Sequence, residues 1–268
     1  MNLDCFRRQF HTKVLSRAKE LQPLTNIWGT NSPLIQHTIN LAVSCLKGTD
    51  EAYFEIGLLY GSSLDAASRG NDDVHKFACD IQVQGEVGRL IDTIPNLKFH
   101  LGDYTELDLE KFLGGRKIGT YYYDGDHSYE ATIDAFERIV PYLADEAIII
   151  CDDLNYNRVA NAWRIWHRDH SYQFQVLHEF WTPDQFIGLT RGYPQDWWDS
   201  FGISTFVRDW QPVDPEVENI AISVWHSTPP YEGRHNFVYP KELKHIHGKE
   251  EMHISKYNEQ ETGFVIKR

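Results

Sequence analysis

Between residues 52 and 170, short apolar runs alternate with stretches whose apolar positions recur at helical spacing. Ala52–Ile56, His75–Ile81, Leu97–Leu101, Thr120–Tyr123 and Ala147–Cys151 read as strands. Ser62–Ser68, Glu86–Ile94, Tyr129–Leu143 and Asn157–His170 read as helices, the last with Val159, Trp163 and Trp166 on one face. A strand, a helix and a second strand in succession call for a parallel pair joined by a right-handed crossover. Repetition of that unit gives an α/β fold: a doubly wound, Rossmann-like, mainly parallel sheet covered on both faces. Two further runs, Gln173–Phe180 and Gln185–Thr190, are separated only by Thr182-Pro183-Asp184 and a few neighbours. That is too little chain for a crossover, so an antiparallel hairpin is expected at one edge.

The flanks read differently. Residues 3–21 carry Phe6, Phe10, Val14 and Leu21 as the apolar positions of an amphipathic helix, and a second helix opens at Ser32-Pro33 and stops at Gly48. The chain thus divides into an N-terminal helical segment (1–30), the α/β domain (31–191) and an appended segment (192–268) in which the alternation ends. Strand-like runs remain there at Ile203–Val207, Ile220–Trp225 and Gly263–Ile266. Trp197, Trp198 and Trp210 are expected to pack that segment onto the sheet or onto a partner subunit, and His245-x-His247 reads as a solvated pair. The amphipathic first helix leaves a homo-oligomer open.

With 26 basic against 39 acidic side chains, a net charge of −13, a phosphate backbone would be repelled, which argues against a nucleic-acid partner. No apolar run approaches the ~18 residues of a membrane span, and the first 30 residues mix charges throughout, unlike a signal peptide. Four dispersed cysteines without a C-x-x-C pair argue against a zinc cluster or disulfide framework and fit a cytoplasmic location.

The first chemistry-bearing motif is Phe54-Glu55-Ile56-Gly57-Leu58-Leu59-Tyr60-Gly61-Ser62-Ser63, a strand that turns through glycines into a helix. Gly57 permits a sharp turn and close approach of a ligand, at the carboxyl end of a strand where open α/β sheets bind ligands. In a dinucleotide fingerprint a middle glycine lets the backbone meet the pyrophosphate; here that position is Leu59. The turn suits a ligand without phosphates, and S-adenosylmethionine (SAM) is one. Asp80 ends the next strand, where an acid can hold ribose hydroxyls. Gly102-Asp103 follows the third, where a side chain can reach an adenine amino group. Each aspartate alone also reads as a capping residue.

The fourth strand runs into Asp124-Gly125-Asp126-His127-Ser128-Tyr129 and the fifth into Asp152-Asp153. Neighbouring strands would bring Asp124, Asp152 and Asp153 together, and gathered carboxylates repel unless a cation joins them. Hard oxygen donors suit Mg²⁺, Mn²⁺ or Ca²⁺. His127 has the titration range of a general base, Asp126 is the competing base, and both also read as surface or capping residues.

The set Glu55-x-Gly57-x-x-x-Gly61-x-Ser63 resembles the cofactor motif of class I SAM-dependent methyltransferases that act on small-molecule hydroxyls. Asp124-Gly125-Asp126-His127-Ser128-Tyr129 with the later Asp152-Asp153 resembles the subset containing macrocin O-methyltransferase and cephalosporin-hydroxylase-like proteins. The resemblance covers roughly residues 30–191. It implies SAM held by Glu55, Gly57, Gly61, Ser63, Asp80, Gly102, Asp103 and Asp124. It implies a divalent metal, Mg²⁺ foremost, at Asp124, Asp152 and Asp153, and a base from Asp126 or His127. The acceptor it implies is a small-molecule hydroxyl, on a sugar or an aromatic ring. Leu143-Ala144-Asp145-Glu146 departs from the subset, which has a glycine pair in the loop there. The competing readings are an NAD-linked oxidoreductase or epimerase, against which Leu59 and the lack of a Tyr-x-x-x-Lys pair count, and a binding protein that kept the fold without the chemistry.

Overall fold

Every strand expected between residues 52 and 151 forms. The computed structural model describes residues 1–27, 29, 31–84, 87–154, 156–170, 173–181, 201–208, 223–226, 252–257 and 261–266. The strands are β1 (Ala52–Ile56), β2 (His75–Asp80), β3 (Leu97–Leu101), β4 (Ile118–Tyr123), β5 (Leu143–Cys151), β6 (Phe174–Trp181), β7 (Gly202–Val207) and β8 (Ser223–His226). They make one sheet in the order β3-β2-β1-β4-β5-β7-β6-β8. Pairings among β1 to β5 are parallel, β7 runs antiparallel to both β5 and β6, and β8 is parallel to β6. β9 (Met252–Tyr257) and β10 (Glu261–Ile266) form a separate antiparallel pair.

The helices are α1 (Leu3–Gln9), α2 (Pro33–Ser44), α3 (Ser62–Ser68), α4 (Val87–Thr93), α5 (Leu109–Leu113), α6 (Tyr129–Ile139) and α7 (Asn157–Asp169). The single helix expected over 3–21 changes pitch, continuing from α1 as a π turn (Phe10–Val14) and a 3-10 turn (Leu15–Glu20). The wider turn keeps Phe6, Phe10 and Val14 buried on one side. α5 escaped the sequence reading, although Asp108 caps its start and Gly114, at φ 61°, ends it.

Alternate residues of the central strands feed two cores. Phe54, Tyr121 and Ile149 face Phe136 of α6 and Trp163 of α7. Tyr53, Tyr122 and Ile148 face Ile35 and Ile39 of α2 together with Phe6 and Phe10 of the N-terminal segment. The apolar face of that segment is thus covered by the chain's own sheet. Among the described residues no helix is long and apolar enough to cross a membrane.

The edge differs from the expected hairpin. The run 185–190, and with it Trp197, Trp198, Trp210, His245 and His247, lies outside the described residues. The antiparallel neighbour of β6 is instead Gly202–Val207, which inserts between β5 and β6, so the sheet continues past residue 191. The stretch Leu143–Glu146, read as a loop, is already part of β5. Leu143 pairs with Ile118, and the Asp145 carbonyl accepts from the Arg208 amide at 2.9 Å.

One buried histidine ties α7 to β7. His167 bonds the Trp163 carbonyl through Nδ1 at 2.6 Å and the Ser204 hydroxyl through Nε2 at 2.7 Å. A carbonyl only accepts, so Nδ1 carries the proton and Nε2 accepts from Ser204. Burial lowers the His167 pKa to about 3. The native state therefore holds fewer protons than the unfolded chain between that value and the ordinary ~6.5, and stability falls as pH falls through this window. From pH 6.5 to 5 this residue is expected to remove about 2 kcal/mol. Urea unfolding at both pH values should show a shallower loss in His167→Gln.

Candidate active site

The glycine turn closes by backbone contacts that leave no room for side chains. Gly57 has φ 90°, and a Cβ there would overlap the Asp124 carbonyl. Its amide donates to the Cys79 carbonyl at 3.0 Å, while the Asp124 amide donates to the Ile56 carbonyl at 2.8 Å, so the ends of β2, β1 and β4 stay in register. Gly61, at φ 80°, precedes α3, and a Cβ would lie 2.7 Å from Leu90 Cδ1. Leu59 also takes a positive φ, 45°, and stays partly exposed. These turns border a cleft of about 600 Å³ at the carboxyl ends of β1 to β5, within the size range of small-molecule sites.

Glu55 does not line the cleft. It is fully buried; Tyr53 Oη donates to Oε2 at 2.9 Å and Ser63 Oγ to Oε1, which ties β1 to the first turn of α3. Burial raises its pKa to about 8. Asp80 lines the cleft with its oxygens already engaged. Oδ2 accepts the amides of Leu58 and Leu59 at 2.6 and 2.8 Å, and Oδ1 accepts that of Gln82 at 3.0 Å. Gly102 also borders the cleft, its amide donating to the Asp80 carbonyl at 2.8 Å. Asp103 caps a short 3-10 turn through the Thr105 amide at 2.8 Å, which lowers its pKa.

At the ends of β4 and β5, Asp124, His127 and Asp153 each offer a ligand atom, all within 4.8 Å of one another. His127 Nε2 lies 2.7 Å from Asp153 Oδ2, and its ring stacks on Tyr156 at a centroid distance of 4.7 Å. The bond to Asp153 is the main cause that raises the His127 pKa. Burial, then the charges of Asp152 and Asp153, push Asp124 well above the carboxylate range. Asp153 sits at φ 60°, a left-handed conformation for which a short polar side chain is among the least costly.

The other two candidates also line the cleft but already accept hydrogen bonds. Asp152 Oδ2 accepts from Tyr122 Oη at 2.5 Å and Oδ1 from the Asp153 amide at 2.8 Å; burial raises its pKa to about 8. Asp126 accepts the Ser128 amide at 2.7 Å, and this bond lowers its pKa. Ser128 in turn caps α6.

Sequence reasoning missed Asn31, Gly29 and Tyr156 as cleft residues. Tyr156 lies one turn after Asp153, a usable signal. Asn31 precedes a helix cap, and nothing in its sequence surroundings points across to β4 and β5.

Residues 54–154 match the family model described as a methyltransferase domain. That span runs from β1 to just beyond β5 and takes in both walls of the cleft. No curated protein matches the sequence. Among solved structures, the cofactor-bound Rv0187 from MTB is 18% identical, covering 78% of this chain and 97% of its own, with TM-score 0.49. An O-methyltransferase from Bacillus cereus in complex with SAH is 12% identical, covering 76% and 97%, with TM-score 0.47. In motif order, sheet topology and family match, the chain resembles the class I SAM-dependent methyltransferases.

Proposed function

We propose that the protein transfers a methyl group from SAM to a small-molecule hydroxyl, with His127 as general base and a divalent cation at Asp124 and Asp153. The observation that carries the reading is the meeting, in one cleft, of a glycine turn without room for side chains and the Asp153–His127–Asp124 cluster. The residues suit the cofactor: Gly57, Leu58 and Leu59 of the turn line the cleft, and Asp80 and Asp103 border the same space. The carboxylate oxygens of Asp124 and Asp153 are hard donors that suit Mg²⁺ or Mn²⁺, which leaves the His127 imidazole for proton transfer. A bound cation would lower the acceptor hydroxyl's pKa and fix its position, and SAM supplies an electrophilic methyl on a sulfonium.

The chain's own part is proton transfer and alignment. With Nε2 of His127 turned to Asp153, its Nδ1 is the atom left to take the hydroxyl proton. Asp153 holds the ring in that tautomer and stabilises the imidazolium that forms, and Tyr156 keeps the ring from rotating. His127 is favoured over Asp126, because the Ser128 bond holds the Asp126 carboxylate in its ionised, weakly basic form. A second reading, a His127–Asp153 dyad acting without a metal, is favoured by the same 2.7 Å bond.

The test is transfer of labelled methyl from SAM to a panel of sugar and phenol hydroxyls, with and without a chelator. Labelled ether products that vanish on chelation and return with Mg²⁺ support the metal-assisted reading. Products unchanged by chelation favour the dyad, and label recovered only on nitrogen acceptors overturns O-methylation.

A further inference from the structure

We propose that Asn31 is a positioning residue of the acidic wall: it braces Asp152, which then orients Asp153 and does not itself join Asp124 and Asp153 around a cation. The inference rests on the divalent-cation reading above. Asn31 reaches three elements at once. Its Oδ1 accepts from Ser62 Oγ at 2.6 Å, at the first residue of α3, and its Nδ2 donates to Tyr122 Oη at 2.9 Å and to Asp152 Oδ2 at 3.3 Å.

The orientation of the amide follows from its partners. Tyr122 Oη gives its one proton to Asp152 and can only accept from Asn31, so the amide NH₂ faces Tyr122 and Asp152, and the Ser62 hydroxyl is left to donate to the amide oxygen. Gly29 fixes the segment in place, because a Cβ at that position would overlap Ser62 Oγ. The strap before α2 is thereby pressed onto the start of α3.

Asp152 lines the cleft with most of its acceptor capacity engaged. One oxygen takes both the Tyr122 hydroxyl and the Asn31 amide, and the other takes the Asp153 amide. That last bond stabilises the left-handed turn at Asp153, from which the Asp153 carboxylate reaches His127. Groups that hold a metal ligand in place through hydrogen bonds typically contribute about 10- to 100-fold to metal affinity.

The test is Mn²⁺ affinity, read from the free-ion electron paramagnetic resonance signal of the full chain, with SAH affinity and folding measured alongside. Asn31→Ala and Tyr122→Phe are each expected to weaken Mn²⁺ binding about tenfold. The double variant should be little weaker than either single one, because both act through Asp152. Asp152→Asn should weaken binding by a similar factor, whereas Asp153→Asn should abolish it. Should Asn31→Ala fail to fold, Tyr122→Phe decides alone. Mn²⁺ affinity within about twofold of the parent in the folded single variants would leave Asn31 a merely structural residue and overturn the proposal. A loss in Asp152→Asn as complete as in Asp153→Asn would make Asp152 a ligand and overturn it too. A parent that binds SAH but no Mn²⁺ would refute the cation reading itself, and the proposal with it.

Discussion

Gly57→Ala is expected to destabilise the fold by several kcal/mol and to reduce SAH affinity by about 100-fold or more. Two effects add. At φ 90° any L side chain pays roughly 1–2 kcal/mol for a left-handed conformation. The new Cβ also falls on the Asp124 carbonyl, backbone at the end of β4 that cannot rotate away as a side chain would. Relief requires β1 and β4 to part at their carboxyl ends, which breaks the Asp124 to Ile56 bond and displaces Asp124 from the cleft wall. Gly70→Ala is the control. Gly70 has φ 69°, and a Cβ added there would meet nothing within 4 Å, so only the conformational cost of about 1 kcal/mol is expected. Urea unfolding and calorimetry with SAH measure both variants. Equal behaviour of the two would mean that the close approach at Gly57 has no role.

His127→Ala is expected to lower kcat by about 10²- to 10⁴-fold while SAH affinity stays within a few-fold of the parent. The reasoning separates binding from chemistry. The proposed cofactor site is built by the glycine turn and the strand ends, whereas His127 contacts Asp153 and Tyr156. Asp153→Asn should lower kcat as well, since an amide neither stabilises an imidazolium nor fixes the same tautomer. Asp126→Asn keeps an oxygen that can accept the Ser128 amide and is expected to stay within about tenfold of the parent. Single-turnover assays with SAM, set against calorimetric SAH affinity, check the set. A larger loss in Asp126→Asn than in His127→Ala would transfer the base role to Asp126.

The parallel part of the fold was legible because its strands carry their own signal. β1 and β4 are buried on both faces and read as mainly apolar runs, broken by Glu55 in β1 and by Gly119 and Thr120 in β4. β7 was visible as a strand but not as a neighbour of β5, since a strand's place in a sheet is set by pairing partners distant in sequence. Local periodicity carries no such information.

The site was legible to a similar extent. The glycine turn and the acids at strand ends stand out because strand ends in a doubly wound sheet converge. Which oxygen each acid turns to the cleft was not. Asp80, Asp103 and Asp152 all accept from backbone or side-chain donors, and only distances separate such an acid from one aimed at a ligand. Asn31 illustrates the limit most sharply, because its partners Ser62, Tyr122 and Asp152 come together only through the packing of α2 against α3 and the sheet.

The ligand proposed for the cleft is a cofactor without a pyrophosphate. Titration calorimetry of the full chain with SAH and, separately, with NAD tests it most directly. One site per chain for SAH in about the micromolar range, with no heat from NAD and no competition by it, is the result expected. Binding of NAD that excludes SAH would make the cleft a dinucleotide site instead.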